Sequence, residues 1–177
     1  MAILSFKLTE NLFLKDPQAT DLGFNIVRTS IKLIDKLGFE DFTFKKLAIE
    51  IGSTEASIYR YFENKHKLLI YLMDWYWTWL EHQVEYEIHN IKSPAERLRI
   101  CLRKLCEEKT FDENVPFVDE TALDRIVTSE FEKTFLTKQV DADNREGLFV
   151  PYKSLCKKIA CCIKDVNPMY PSPHSLA

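Results

Sequence analysis

Apolar positions along this chain recur mostly at helical spacing and almost nowhere in strict alternation. From Asp16-Pro17 onward, Leu22, Ile26, Ser30, Leu33, Ile34 and Leu37 hold one face, with Lys32, Asp35 and Lys36 on the outer side. Proline at a first helical position and Gly38 at the end frame a helix over 17–37. Thr43 can cap a second helix through Ile51, with Phe44, Leu47, Ala48 and Ile51 on its apolar face, and Gly52 supplies the left-handed stop. Thr54 can cap a short third helix to about Phe62, and Asn64 a long one from Lys65 to His89. The three helices at 17–37, 44–51 and 55–62 are expected to close around Leu33, Leu37, Phe44, Leu47, Ile58 and Phe62. The middle of the long helix, LLIYLMDWYWTWL, is apolar nearly all the way round, which marks a helix contacted on more than one side.

Beyond it, Ser93-Pro94 with Glu96 forms a capping box opening a helix to about Lys109, with Leu98, Cys101, Leu102, Leu105 and Cys106 as its buried stripe. Phe111 to Asp119 reads as a loop, followed by a helix from Glu120 to Thr128 and a continuation or further helix to about Lys138. Asp141 to Asn144 reads as a break, with Asp143 capping a last helix from Asn144 to Asp165. Its inner face is Phe149, Tyr152, Leu155, Cys156, Ile159, Cys162 and Ile163, and Pro151 implies a kinked or separate first turn. Residues 1–15 read as an N-terminal arm. The expected fold is all-α: a three-helix helix-turn-helix domain over 1–66 and a second helical domain over 67–177.

Composition narrows the classes. With 46% apolar residues and four glycines in 177, the chain is globular. Its net charge is −3, and Met1 to Lys65 holds nine Lys and Arg against nine Asp and Glu, so bulk basicity argues nothing about nucleic acid. Five cysteines, an odd number with no secretory signal, imply reduced thiols and a cytoplasmic protein. The longest apolar run is interrupted by Asp74 and too short for a bilayer, so no membrane is expected. No glycine-rich phosphate loop, Gly-x-Ser-x-Gly turn or metal-hydrolase helix is present, which argues against an enzyme and against a cofactor. His82, Glu85 and His89 share a helix face but span two turns without a fourth ligand, so they read as a solvated face and not a metal site. The cysteines read as small apolar residues before they read as a sensor.

Two helices joined by a tight glycine turn, the second with polar and aromatic residues outward, follow the helix-turn-helix plan. The run IGSTEASIYRYFENKHKLL over 51–69, with Thr43 opening the preceding helix and Leu47-Ala48 within it, resembles the tetracycline-repressor (TetR) family of bacterial transcription regulators. The resemblance covers about residues 20–70. It implies a homodimeric regulator, a repressor that leaves its double-stranded DNA operator when a small-molecule effector binds the C-terminal domain. Members of that family usually end in two long helices that form the dimer interface. This chain has room for about one, and its final PSPHSLA reads as the start of a helix cut short.

On the second helix of the motif, Glu55, Ala56, Tyr59 and Arg60 share the face opposite Ile58 and Phe62. Arg60 suits guanine, Glu55 can accept from cytosine, and Ala56 fits a thymine methyl. Ser57, Tyr59, Tyr61, Thr43 and Thr54 offer hydroxyls to phosphate, and Lys45 and Lys65 offer charge. The plain alternative is that Glu55 favours the helix dipole and the tyrosines pack at the module's edge. For an effector, the aromatic residues Trp75, Trp79, Phe111 and Phe117 are the expected lining, and ordinary core packing is the plain alternative. Two rival functions remain: a helical interaction module without DNA binding, and a thiol or metal sensor on the same scaffold.

Overall fold

The computed structural model describes residues 6–110, 118–135, 140–145 and 147–177. Helices α1 (Asp21–Leu37), α2 (Phe44–Glu50), α3 (Glu55–Tyr59), α4 (Lys65–Ile88), α5 (Pro94–Cys106), α6 (Glu120–Phe135), α7 (Val140–Arg145), α8 (Val150–Val166) and α9 (Pro173–Leu176) follow one another, and no strand occurs among the described residues. The all-α expectation holds. The chain divides into two compact units, Met1–Tyr76 with Lys109–Leu148 and Trp77–Glu108 with Phe149–Ala177. These units cut the chain differently from a functional boundary at residue 66, because the first takes back a segment from beyond residue 108.

In the first unit, α1 begins later than proline placement suggests. Asp16 accepts from the Gln18 amide and Pro17–Ala19 forms a 3-10 turn; Thr20 then caps α1 by accepting from the Gly23 amide. Gly23 is dictated by packing, since a Cβ there would lie 2.2 Å from the Pro17 carbonyl oxygen. The buried face of α1 is Ile26, Val27, Ser30, Ile31 and Ile34, while Leu33 and Leu37, expected at its centre, are only half-buried. Helical periodicity allows either of two adjacent stripes, and the partner decides between them. That partner includes α6, which presents Leu123, Ile126 and Val127 as buried residues. On α6, Arg125 grips Asp35 of α1 through two parallel bonds of 2.9 and 2.7 Å, and Glu130 accepts from the Phe39 amide at 3.3 Å.

Gly38, at φ 78°, ends α1 and its amide bonds the Ile34 carbonyl. The first half of α4 is buried at every residue from Leu68 to Tyr76, as its all-round apolar sequence implies. Residues 6–15 of the arm pack within this unit. The Phe6 ring meets Trp75 edge-on at 5.3 Å, Leu8 and Leu12 are buried, and Thr9 donates to the Gly147 carbonyl. Near Asp141 the expected break is instead the short helix α7. Gly147, at φ 80°, closes it, with the Leu148 amide returning to the Asp143 carbonyl. Pro151 then sits in the first turn of a separate α8, where its missing N–H costs nothing. The expected continuation after Thr128 is one unbroken α6.

The second unit comprises the latter half of α4, α5, α8 and α9. Ser93 caps α5 through the Glu96 amide, as expected, but the helix stops at Cys106 and buries Ile100 and Cys101. Leu102 and Cys106 point outward, a correction to the expected stripe, because α5 meets α8 along the row Arg97, Cys101. From α8, Leu155, Ile159, Ala160, Cys162 and Ile163 are buried, with Tyr152 and Cys156 half-buried. Trp77 meets the Tyr152 ring at 5.4 Å, Ser154 donates to Glu81, and Lys158 bridges Glu81 and Glu85, joining α8 to α4 within this unit.

Candidate nucleic-acid interface

The α2–α3 pair is built by its caps. Thr43 accepts from the Lys46 amide at 3.2 Å and Thr54 from the Ser57 amide at 3.2 Å, each satisfying an amide that has no partner inside its helix. Between them Gly52 takes φ 62°, and the Ser53 amide returns to the Ala48 carbonyl, which turns the chain sharply. Ala48 is buried and small, so α3 can approach α2; Ile58 and Phe62, both fully buried, anchor α3 in the module. The Tyr59 ring rests edge-on against Phe44 at 5.0 Å and still leaves 47% of the residue exposed. Asn64 then caps α4 through the Lys67 amide at 2.8 Å.

This construction leaves Thr43, Lys45, Thr54, Glu55, Ala56, Tyr59 and Arg60 exposed. Ser57 is half-buried and shares a 3.0 Å hydrogen bond with the Thr54 hydroxyl. Arg60 lies just past α3 with helical dihedrals, so it extends the row that Glu55, Ala56 and Tyr59 begin. Two expected members lie elsewhere. Tyr61 is 2% exposed; its hydroxyl is 2.7 Å from Thr20 Oγ1, its carbonyl accepts from the Leu14 amide, and the Lys15 ammonium covers its ring. Lys65 is half-buried and turns its Nζ to the carbonyls of Phe39, Glu40 and Phe42 at 3.0, 3.0 and 3.3 Å, stacked over the Phe39 ring. It closes the link from α1 to α2.

Lys46, not singled out from the sequence, is exposed beside Lys45 with its Nζ 2.7 Å from the Asp41 carbonyl. The Lys-Lys doublet in the first turn of α2 was its available signal. Thr20 was also missed, since both of its hydrogen bonds depend on the fold.

The effector candidates divide. Trp75 is buried in the first unit against Phe6, Trp79 is 6% exposed in the second, and Phe111 and Phe117 lie outside the described residues. Asp74, fully buried beside Trp75, has its carboxyl pushed up to about 8 by burial. Tyr76 donates to Asp124 of α6. His82 and His89 are exposed, Glu85 is engaged by Lys158, and no His, Cys, Asp and Glu cluster suited to a metal occurs among the described residues. No helix among them is long and apolar enough to cross a membrane.

With this geometry in place, the comparison with known families is decisive for the motif: residues 26–72, from α1 through the first turns of α4, match the family described as bacterial regulatory proteins, tetR family. Over this segment the chain is similar to the tetR family. Similarity of fold extends to solved structures. AibR, solved in complex with isovaleryl coenzyme A and operator DNA, superimposes with a TM-score of 0.62 at 22% identity, covering 85% of this chain and 76% of AibR. The superantigen PfiT gives 0.59 at 17% identity over 86% of this chain and 75% of its own. Apo AibR gives 0.52 at 22% identity, covering 85% and 75%. At these identities the likeness establishes the fold. No curated protein matches the chain.

Proposed function

We propose that this protein is a tetR-like DNA-binding transcriptional regulator, a homodimeric repressor released from its operator by a small-molecule ligand. The observation that carries the reading is the exposed row Glu55, Ala56, Tyr59 and Arg60, held outward by Ile58 and Phe62 within a fully capped helix-turn-helix. Such a row suits base edges in a major groove. Arg60 would pair with guanine N7 and O6, Ala56 would lie against a thymine methyl, and Glu55 would accept from a cytosine amine. Thr43, Lys45, Lys46, Thr54 and Tyr59 would meet phosphates on either side. Ser57, tied to Thr54, would shape the turn, while Tyr61 and Lys65 are assigned to holding the module together.

A lone module grips too few base pairs for an operator, and two copies would read successive major grooves about 34–36 Å apart. A ligand could release them only by binding better to an arrangement that spoils that spacing. The likeness to AibR, crystallised with operator DNA and an acyl coenzyme A, supports both the DNA and the effector parts of this reading. Of the aromatic candidates, Trp79 is the described one that lies in the second unit, and it is proposed for effector binding.

The test is fluorescence anisotropy of the full chain on the DNA upstream of its own gene. Arg60→Ala and Tyr59→Phe should weaken binding, Arg60→Ala by roughly tenfold or more, with thermal unfolding unchanged. A wild-type affinity no better than for scrambled DNA would sink the proposal. The rival reading, an interaction module without DNA binding, draws support from PfiT, a superantigen with a similar fold. It predicts that neither substitution moves any DNA measurement.

A further inference from the structure

The seam between α5 and α8 sets two thiols face to face. Cys101 Sγ and Cys162 Sγ are 3.8 Å apart, with Cys101 fully buried and Cys162 4% exposed. The register of the two helices is fixed beside them: Arg97, one turn before Cys101, bonds Asp165, just under one turn after Cys162, at 2.9 Å. The other cysteines are placed differently, Cys106 and Cys161 being exposed and Cys156 half-buried with its thiol beside the Tyr152 hydroxyl. We propose that Cys101 and Cys162 form a reversible disulfide site, closed by a hydroperoxide and reopened by a dithiol.

Two sulfurs already in van der Waals contact need only close to about 2.05 Å, so each moves by roughly 0.9 Å through side-chain rotation while the Arg97–Asp165 pair keeps the helices in register. The chemistry balances with the peroxide as oxidant. One thiolate attacks a peroxide oxygen, the O–O bond breaks, and the departing oxygen takes up a proton as water or alcohol, leaving a sulfenic acid. The second sulfur then displaces that hydroxyl, which leaves as water with the second thiol's proton. Two thiols lose two electrons and two protons, and the peroxide gains both. Burial, with Cys162 alongside, pushes the Cys101 thiol up to about 12. Closure accelerates as pH rises, because the thiolate is the nucleophile.

The experiment uses the full chain carrying Cys106→Ser, Cys156→Ser and Cys161→Ser, treated with hydrogen peroxide and quenched with catalase. Thiols counted in denaturant should disappear in pairs, the mass should fall by two hydrogens in a chain that stays monomeric on a non-reducing gel, and dithiothreitol should reverse both. A mass gain of oxygen without a crosslink, an unchanged thiol count after prolonged treatment at alkaline pH, or a disulfide between chains would overturn the proposal. If circular dichroism shows that the triple variant does not fold, peptide mapping of the oxidised wild-type chain decides. A crosslinked peptide pair holding Cys101 and Cys162 is expected, and linkage through Cys106, Cys156 or Cys161 instead would refute it. None of these readouts depends on DNA binding.

Discussion

Tyr59 and Tyr61 are two residues apart in one short motif and face opposite ways, one half-exposed beside Phe44 and the other buried with its hydroxyl on Thr20. The same division separates Arg60, exposed, from Lys65, whose three donors end on carbonyl oxygens. Replacing Lys65 with methionine keeps the stem over Phe39 but strands those carbonyls. Such a loss costs about 1–3 kcal/mol, so urea denaturation should show Lys65→Met clearly destabilised while Arg60→Ala unfolds like the wild type. Asp74 offers a second contrast. Its carboxyl is held at about 8 when folded against an ordinary value of 3.8, so the folded state binds the extra proton in that interval. Stability from this group is full below the ordinary value and is lost as pH rises through about 8. The slope is at most about 1.4 kcal/mol per pH unit. Asp74→Asn removes this dependence. Relative to wild type it should gain stability between pH 5 and pH 8, and equal denaturation midpoints for the two proteins at both pH values would show that the burial effect is absent.

Elements differ in how far the chain announces them. Thr43, Thr54, Asn64 and Ser93 sit at the starts of helices that they were expected to cap, because a cap is a matter of neighbours three residues apart. Gly38 and Gly52 were legible as stops for the same reason. The start of α1 was misplaced because Asp16-Pro17 is also a good opening for a 3-10 turn, and only the contact between Gly23 and Pro17 shows which one is used. The choice of Val27 and Ile31 over Leu33 and Leu37 was not legible either; it rests on α6, about ninety positions away as measured by the Arg125–Asp35 pair. The two glycines give a paired test. At Gly23 an added methyl meets backbone at 2.2 Å, whereas at Gly52 there is open space and only φ 62° objects. Gly52→Ala should cost about 1–2 kcal/mol. Gly23→Ala should cost as much or more, and should additionally free the 3-10 turn, read as faster proteolysis near Pro17.

At the scale of the whole molecule, the helix-turn-helix is not a freestanding bead. Its compact unit takes back Lys109–Leu148, and with it the Arg125 and Glu130 anchors on α1 and on the Phe39 amide. A fragment ending at Tyr76 would keep the whole motif, and would lose the Arg125 and Glu130 anchors and the Tyr76–Asp124 bond. It should show neither a cooperative melt nor a stable helical signal by circular dichroism, whereas the full chain should melt cooperatively. The family match, over 26–72, is thus shorter than the smallest part expected to fold. The motif could be read in the sequence, but the helices returning from beyond residue 108 to support it could not.

Lys65 has one more consequence, which concerns ions more than contacts. With its ammonium turned inward, the exposed face of the proposed reading module offers Lys45, Lys46 and Arg60 as its cations. A homodimer would displace only about six counterions from DNA, a slope near −5 in log affinity against log salt. Modest electrostatic grip means weak attachment to arbitrary sequence. The protein would spend little time on the bulk of a chromosome, and most of its discrimination would come from the few side chains on α3.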